Sequence, residues 1–413
     1  MINPDIFEKV TSRIEQFRDD MVRMQIELTA IPALSPDNGG QGELEKAGYL
    51  KAKLHTLGFD RVQEINAPDR RVSSGLRPNV IVTLPGRKSD KTTWILTHLD
   101  IVPPGEMSFW SKDPYRGYEK DGRVYGRGTE DNQQDLVASV FAAKALLDEG
   151  VIPENGLGLA FVADEETASQ YGLAYLLQHH GNPFRKNDLL VVPDSGNEDG
   201  SMIEIAEKSI YWLRFKTIGK QCHASRPELG KNAFLAASHL VVRLSELHRI
   251  FDAVDPLYHP PASTFQPTKK EMNVPNVNTI PGEDVFYLDS RILPRYQLSD
   301  VFQNIRGMAD HIEKQFDVSI EIEAVQAVQA PSPTPGDAAV VRALQEAIRD
   351  VYQVEATAQG IGAGTVAAYF RQEGYPAAVW CRIGKTAHQP NENCLITNMM
   401  GNAKVYAHLF LQR

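Results

Sequence analysis

Apolar residues fall at helical spacing from the start of the chain. Ile6, Val10, Ile14, Phe17, Met21, Met24 and Leu28 form one stripe, which predicts an amphipathic helix over 5–29. The Pro- and Gly-rich stretch IPALSPDNGG stops it. A second helix is expected over 42–57, closed by Gly58. Shorter apolar runs at 79–86, 92–98, 157–164 and 188–194 read as strands. Those at 92–98, 157–164 and 188–194 are almost continuously apolar, as in sheets covered on both faces. Between them, QQDLVASVFAAKALLDEG predicts a helix, with Leu136, Val137, Val140, Phe141 and Leu147 as core. A short helix at 171–180 ends on His179-His180, where His suits the helix dipole. Strands alternating with helices imply an α/β layered domain with a mostly parallel sheet.

The pattern changes near residue 208. A strand (SIYWLRFKTIG), a helix (NAFLAASHLVVRLSELHR), a long polar loop, a strand (DVFYLDSRI), a helix (VFQNIRGMADHIEKQF) and a strand (VSIEIEAV) predict two strand–helix units around one small sheet. From 336 a helix and the strand AAVWCRIG resume the first style. The reading is a discontinuous first domain, 1–207 and 323–413, interrupted by an inserted α+β domain, 208–322.

Composition narrows the function classes. The 413 residues carry 43 Lys plus Arg against 53 Asp plus Glu, a net charge of −10, the wrong sign for a non-specific nucleic-acid binder. The three cysteines, Cys222, Cys381 and Cys394, form no disulfide framework and no Cys-x-x-Cys pair, which is the usage of a reducing compartment. The charged N-terminus has no apolar signal core, and no apolar run reaches the roughly 20 residues that span a bilayer. A cytoplasmic protein with neither nucleic-acid nor membrane partners is expected.

Several catalytic motifs are missing. There is no G-x-S-x-G elbow, none of the 11 His is followed by Glu, and the glycines at 360, 362 and 364 precede Thr365 without a phosphate-loop Lys. The acidic and His residues, by contrast, fall at strand ends. His98 and Asp100 follow one strand, Asp131 precedes a helix, Glu165 and Glu166 follow the next strand, Asp194 ends another, and His388 lies beyond the last. Functional groups of open α/β sheets gather beyond the carboxyl ends of strands. His98, Asp131, Glu166, Asp194 and His388 together are too many ligands for one tetrahedral ion with an open position. They suit two Zn²⁺ ions, with Mn²⁺ or Co²⁺ as alternatives, sharing a bridging carboxylate.

THLDIVPP, YGRGTEDNQQ, ADEET, VVPDSG and AHQPNE, in this order, resemble the motif series of the M20 family of dinuclear zinc amidohydrolases. LTAIPALSPDNGGQGE resembles that family's N-terminal helix and loop, and HASRPELGKNA and NVNTIPG…DSR its inserted lid. The resemblance implies His98 and Asp194 on the first metal, Asp131 as the bridge, and Glu166 and His388 on the second. It implies Glu165 as general base, assisting a dizinc-bound hydroxide that attacks an amide or peptide bond. Asp100 is expected to hydrogen-bond the far nitrogen of His98, and the Asp131–Asn132 peptide to be cis. His223 would be the lid donor to the oxyanion, Arg291 and Asn278 would grip the substrate, and Gly364 and Thr365 would line the pocket. Glu130, beside Asp131, reads as solvated. The implied substrate is a small N-acyl amino acid or short peptide, and the implied assembly a homodimer through the lid. The alternatives are an exopeptidase and a catalytically silent scaffold of the same fold. DEETAS has Ala168 where the family often has Gly, and GAGTVAAYF has Val366-Ala367 where many members carry Ser or Asp.

Overall fold

A computed structural model describes residues 2–88 and 90–413. It forms two compact units. The first comprises Met1–Ile205, Thr334–Ala358 and Thr365–Arg413, and the second Ala206–Pro333 and Gln359–Gly364. The second unit extends past the expected residue 322, because the strand Ser319–Val328 continues beyond it.

The first unit is built on an eight-stranded sheet. At its centre Gly156–Val162, Thr92–His98, Leu189–Asn197 and Ala377–Arg382 lie side by side and parallel. Antiparallel strands flank this centre, Val62–Pro68 and Leu76–Leu84 on one side and Met202–Glu207 on the other, and Thr357–Ile361 is the eighth strand, beside Met202–Glu207. Six of the seven residues in Thr92–His98 are buried, so both faces are covered, as the continuous apolar run predicts. Helices Pro4–Gln16, Gln134–Asp148, Ala339–Tyr352 and Ile396–Leu411 pack together on one side of the sheet. Under the short helices Leu173–Gln178 and Ala367–Gln372, a second core joins Trp94, Leu96, Val162, Val192, Phe370 and Val379.

The helix expected over 5–29 is two helices, Pro4–Gln16 and Arg18–Thr29. They break at Phe17, whose ring packs against Phe141. Asn3 caps the first by accepting from the amides of Asp5 and Ile6.

The second unit is a four-stranded antiparallel sheet ordered Thr264–Lys270, Glu283–Ile292, Ser209–Ile218, Ser319–Val328. Buried and half-buried residues alternate strictly along Ser209–Ile218. Its inward residues Tyr211, Leu213 and Phe215 share a core with helices Ala233–Leu244 and Leu298–Phe316. The edge strand Thr264–Lys270 escapes a pattern search because Phe265 is its only buried residue and Pro267 interrupts it, both features of a sheet edge. Among the described residues, no helix is long and apolar enough to cross a membrane.

Candidate metal centre

The parallel strands all deliver their carboxyl ends to one rim, and the acidic and His residues sit there. His98 is the last residue of its strand and only 2% exposed. Its Nε2 lies 3.0 Å from Asp131 Oδ1 and 3.4 Å from Asp194 Oδ1. The other Asp131 oxygen, Oδ2, lies 3.0 Å from His388 Nε2. Glu166 Oε2 is 3.2 Å from that same nitrogen. Donor atoms of His98, Glu165 and Asp194 all lie within 4.8 Å of one another, as do those of His98, Asp131 and Glu166. Asp131 thus stands between two imidazoles with one oxygen toward each.

The surroundings explain how the cluster is held. The Asp131–Asn132 peptide is cis. The Asn132 side chain accepts from the His98 amide at 3.2 Å and donates to the Pro193 carbonyl at 2.9 Å, tying two strand ends together. Where the strands Leu189–Asn197 and Ala377–Arg382 shift register, Gly196 lies against Cys381. A Cβ at 196 would stand 1.8 Å from the Cys381 carbonyl oxygen, so only glycine fits.

Asp100 meets His98 differently from the expectation. The His98 Nδ1 faces the Asp100 backbone carbonyl at 3.0 Å, while the carboxylate is 3.6 Å away, beyond hydrogen-bond length. The carboxylate instead accepts from the amides of Glu165 and Glu166, each at 3.0 Å. It therefore shapes the turn that carries both glutamates.

Glu130 is buried, not solvated as the sequence suggests. Its carboxylate accepts from Thr386 Oγ1 and the Ala387 amide, both at 2.7 Å, which fixes the loop leading to His388. A Cβ on Gly384 would come within 2.3 Å of Glu130 Oε1, so glycine is required there for the carboxylate to enter. Glu392 does the converse and was missed in the sequence. Its carboxylate accepts from the amides of Gly128, Glu130 and Asp131 at 2.9–3.0 Å and from Arg127 Nη1 at 2.6 Å. Its signal was the final glutamate of AHQPNE, which follows the metal-type His by four positions.

The turn after Gly156–Val162 is strained. Asp164, Ala168 and Ser169 have φ of +63°, +99° and +57°, a region that non-glycine residues rarely enter. Arg77 holds it from beneath. Its guanidinium reaches Glu43 at 2.7 and 2.5 Å and Asp164 Oδ1 at 3.3 Å, all fully buried. Glycine tolerates the Ala168 geometry, so Ala168→Gly is expected to stabilise the protein by about 1 kcal/mol, read by denaturant unfolding. No gain in stability would show that the turn is relaxed as it stands.

Electrostatics fit a cation site. Burial works to lower the His98 imidazole, and Asp100, Asp131 and Asp194 override it, placing it well above its usual value. The carboxylates of Asp131 and Glu166 push His388 up to about 10. Burial, then repulsion from Asp194, raises Glu165 well above the carboxylate range. Burial, then repulsion from Asp131, takes Glu166 to about 7. Glu165 and Glu166, crowded by like charge, hold onto protons or seek cations, and two imidazoles with three carboxylates are a borderline-soft N/O set suited to Zn²⁺, Co²⁺ or Mn²⁺.

A third cluster of ligand type, Glu346, Asp350 and His408, is accounted for by packing. The Gln412 amide donates to Ala343 O and faces His408 Nδ1, so His408 Nε2–H points at Asp350 as a satisfied buried histidine.

The remaining predicted residues lie mostly in the second unit. The short ladder pairing Cys222 with Ile280 and His223 with Thr279 brings His223 beside Asn278, whose carbonyl accepts from the Ala224 amide at 2.9 Å. The Ser225 amide donates to His223 Nδ1 at 3.1 Å, so the neutral ring carries its proton on Nε2. Asp289 forks Arg291 at 2.9 and 3.1 Å, and Arg291 Nη1 donates to the Gly362 carbonyl at 3.1 Å. A Cβ on Gly364 would only brush Ile210, so sterics do not demand glycine there. In the first unit, Thr365 Oγ1 lies 3.4 Å from Glu204.

Residues 94–412 match the profile of Peptidase family M20/M25/M40. An uncharacterized metallohydrolase of Methanococcus maripaludis is 40% identical over 94% of this chain and 98% of its own. Succinyl-diaminopimelate desuccinylase 1 of Ruegeria sp. is 25% identical over 94% and 97%. Human carnosine dipeptidase 1 shares the fold, with a TM-score of 0.75, 19% identity, and coverage of 99% and 98%.

Proposed function

The chain belongs to peptidase family M20/M25/M40 and is a metal-dependent hydrolase, and on that premise we propose that it cleaves the amide bond of a small N-acyl amino acid or short peptide at a centre of two Zn²⁺ ions. The observation that carries this reading is Asp131, with one oxygen 3.0 Å from each of two imidazoles. His98, Asp131 and Asp194 would hold one ion, and Asp131, Glu166 and His388 the other. When bound, such ions polarise the scissile carbonyl and make water acidic enough to be a nucleophile near neutral pH.

The protein's own groups do the rest. Glu165, half-buried beside His98 and Asp194, takes a proton from the attacking water and passes it to the leaving nitrogen. His223 donates its Nε2–H to the oxygen that gains charge. Arg291 is held in one plane by Asp289 and Gly362 and turns its remaining N–H bonds to a substrate carboxylate. Asn278, Gly364 and Thr365 complete the substrate contacts.

The second unit exposes Phe234, Leu235, Val242, Met272 and Val277, with Val242 at 73% and Met272 at 91%. An apolar surface of this kind supports a homodimer through this unit. A desuccinylase at full-length similarity favours N-acyl amino acids, while exopeptidase action is the second reading, favoured by Arg291 as a carboxylate clamp. The test is a hydrolysis screen of zinc-loaded protein, setting N-succinyl and N-acetyl amino acids against dipeptides. Turnover of the acyl compounds at 10-fold or more above dipeptides (about 1.4 kcal/mol) supports deacylation, the reverse supports exopeptidase action, and no turnover of either class rejects the proposal.

A further inference from the structure

Near the start of the second unit, Lys208 is a buried charge that the proposed reaction does not use. It is 2% exposed. A lysine withdrawn from water is costly unless its N–H bonds find good acceptors. Its Nζ donates to the Pro260 carbonyl at 2.7 Å and to the Ala262 carbonyl at 2.6 Å, short bonds of the kind a charged donor makes. Both acceptors are main chain, so the ammonium fastens a loop.

That loop, residues 255–263, reaches Arg291 by two routes, both inside the second unit. Along the chain, Ala262 is followed by Ser263, whose Oγ accepts from the Leu293 amide at 3.0 Å, and by Thr264, which stands opposite Arg291 in the sheet. Across the chain, the Leu257 carbonyl accepts from the Gly360 amide at 2.6 Å. The buried Tyr258 pairs with Gly360 so closely that a Cβ at 360 would stand 2.5 Å from its ring. Two residues further on, the Gly362 carbonyl accepts from Arg291 Nη1 at 3.1 Å. The Lys208 amide closes the loop of contacts by donating to the Ile361 carbonyl at 3.0 Å. One lysine thus holds, with its side chain and its backbone, both segments that frame one arginine.

We propose that Lys208 is a positioning residue: its ammonium pins the loop 255–263, and through that loop and the segment 359–364 it sets the plane of the Arg291 guanidinium. Its consequence for substrate rests on the reading of Arg291 as a carboxylate clamp, but the contacts hold Arg291 whatever the site binds. A guanidinium takes a carboxylate through two parallel bonds, so a guanidinium free to tilt loses affinity for an acidic end group. Lys208 is enclosed by the protein and is not a catalytic residue.

Lys208→Met removes the charge and keeps the length. Three readouts separate positioning from bulk structure, two of them on metal-free protein. Phenylglyoxal modification, mapped by peptide mass, should proceed about fivefold faster or more at Arg291, with the exposed Arg349 of the first unit unchanged as internal reference. Hydrogen exchange should quicken about 10-fold or more at 257–264 and 359–364, with the helix Leu298–Phe316 of the same unit unchanged. In zinc-loaded protein, on whichever N-acyl amino acid or dipeptide the wild type turns over, KM should rise about 10-fold with kcat within about twofold. An unchanged phenylglyoxal rate at Arg291 overturns the proposal, as does a fall in kcat with KM unmoved. If the variant does not fold, Lys208→Gln carries the same comparisons. Arg291→Met tests the clamp separately: an unmoved KM there would reject the carboxylate clamp, while the phenylglyoxal and exchange results would still decide whether Lys208 holds Arg291.

Discussion

Glu165→Gln is expected to lower kcat by about 10³-fold to 10⁴-fold, the upper range for loss of a positioned general base, with metal content unchanged. The amide keeps the shape of the side chain and the backbone contact to Asp100 but cannot take a proton. Glu165 is the base in the proposed mechanism, and without bound ions burial and Asp194 raise its proton affinity above that of a solvent-exposed carboxylate. A base must bind a proton firmly enough to collect it and release it to the leaving nitrogen. KM should change little, because the proton moves only as the transition state forms. Metal analysis on the same sample distinguishes loss of the base from loss of the centre. A kcat within 10-fold of wild type would place the base elsewhere.

Asp131→Asn should have a still broader effect. An amide offers one good acceptor oxygen where the carboxylate offers two, and here each oxygen faces a different imidazole. The variant is expected to bind no more than one Zn²⁺ per chain and to lose at least about 10³-fold in kcat/KM, several kcal/mol of charge stabilisation. It should not unfold, because the Asn132 links between strand ends do not involve the Asp131 side chain. Calorimetric titration with Zn²⁺ and a thermal melt check both parts. Two tight sites in the variant would mean that the two ions do not share this residue.

The sheet was legible because the strands that meet at the rim are buried on both faces and therefore read as unbroken apolar runs. The strongest signal for the centre was position. His98 ends its strand and Glu165 and Glu166 stand just beyond theirs, where a parallel sheet places its polar groups together, while Asp194 lies inside a strand that continues to Asn197 rather than ending at 194. What escaped was the supporting layer. Glu130 reads as solvated because two adjacent acids usually are, and only the fold shows the amides and hydroxyl that draw it inward. The carboxylate of Asp100 and the backbone carbonyl of the same residue are indistinguishable in a sequence, yet they serve different partners. Lys46 falls among Glu43, Leu44, Glu45 and Ala47 in a helix of ordinary polarity, where spacing does not reveal that a basic residue points inward. The Phe17 break has no Pro or Gly to announce it.

Glu130 and Glu392 hold each other's loops across more than 250 residues of chain. Neither loop has its partner until residues 384–392 have been made. A nascent chain ending before residue 384 already contains His98, Asp131, Glu166 and Asp194, but lacks His388 and the glutamate that orders the GRGTED segment. On the proposed ligand set, a chain cut before residue 384 is expected to bind fewer Zn²⁺ ions than the full sequence, which metal analysis would read.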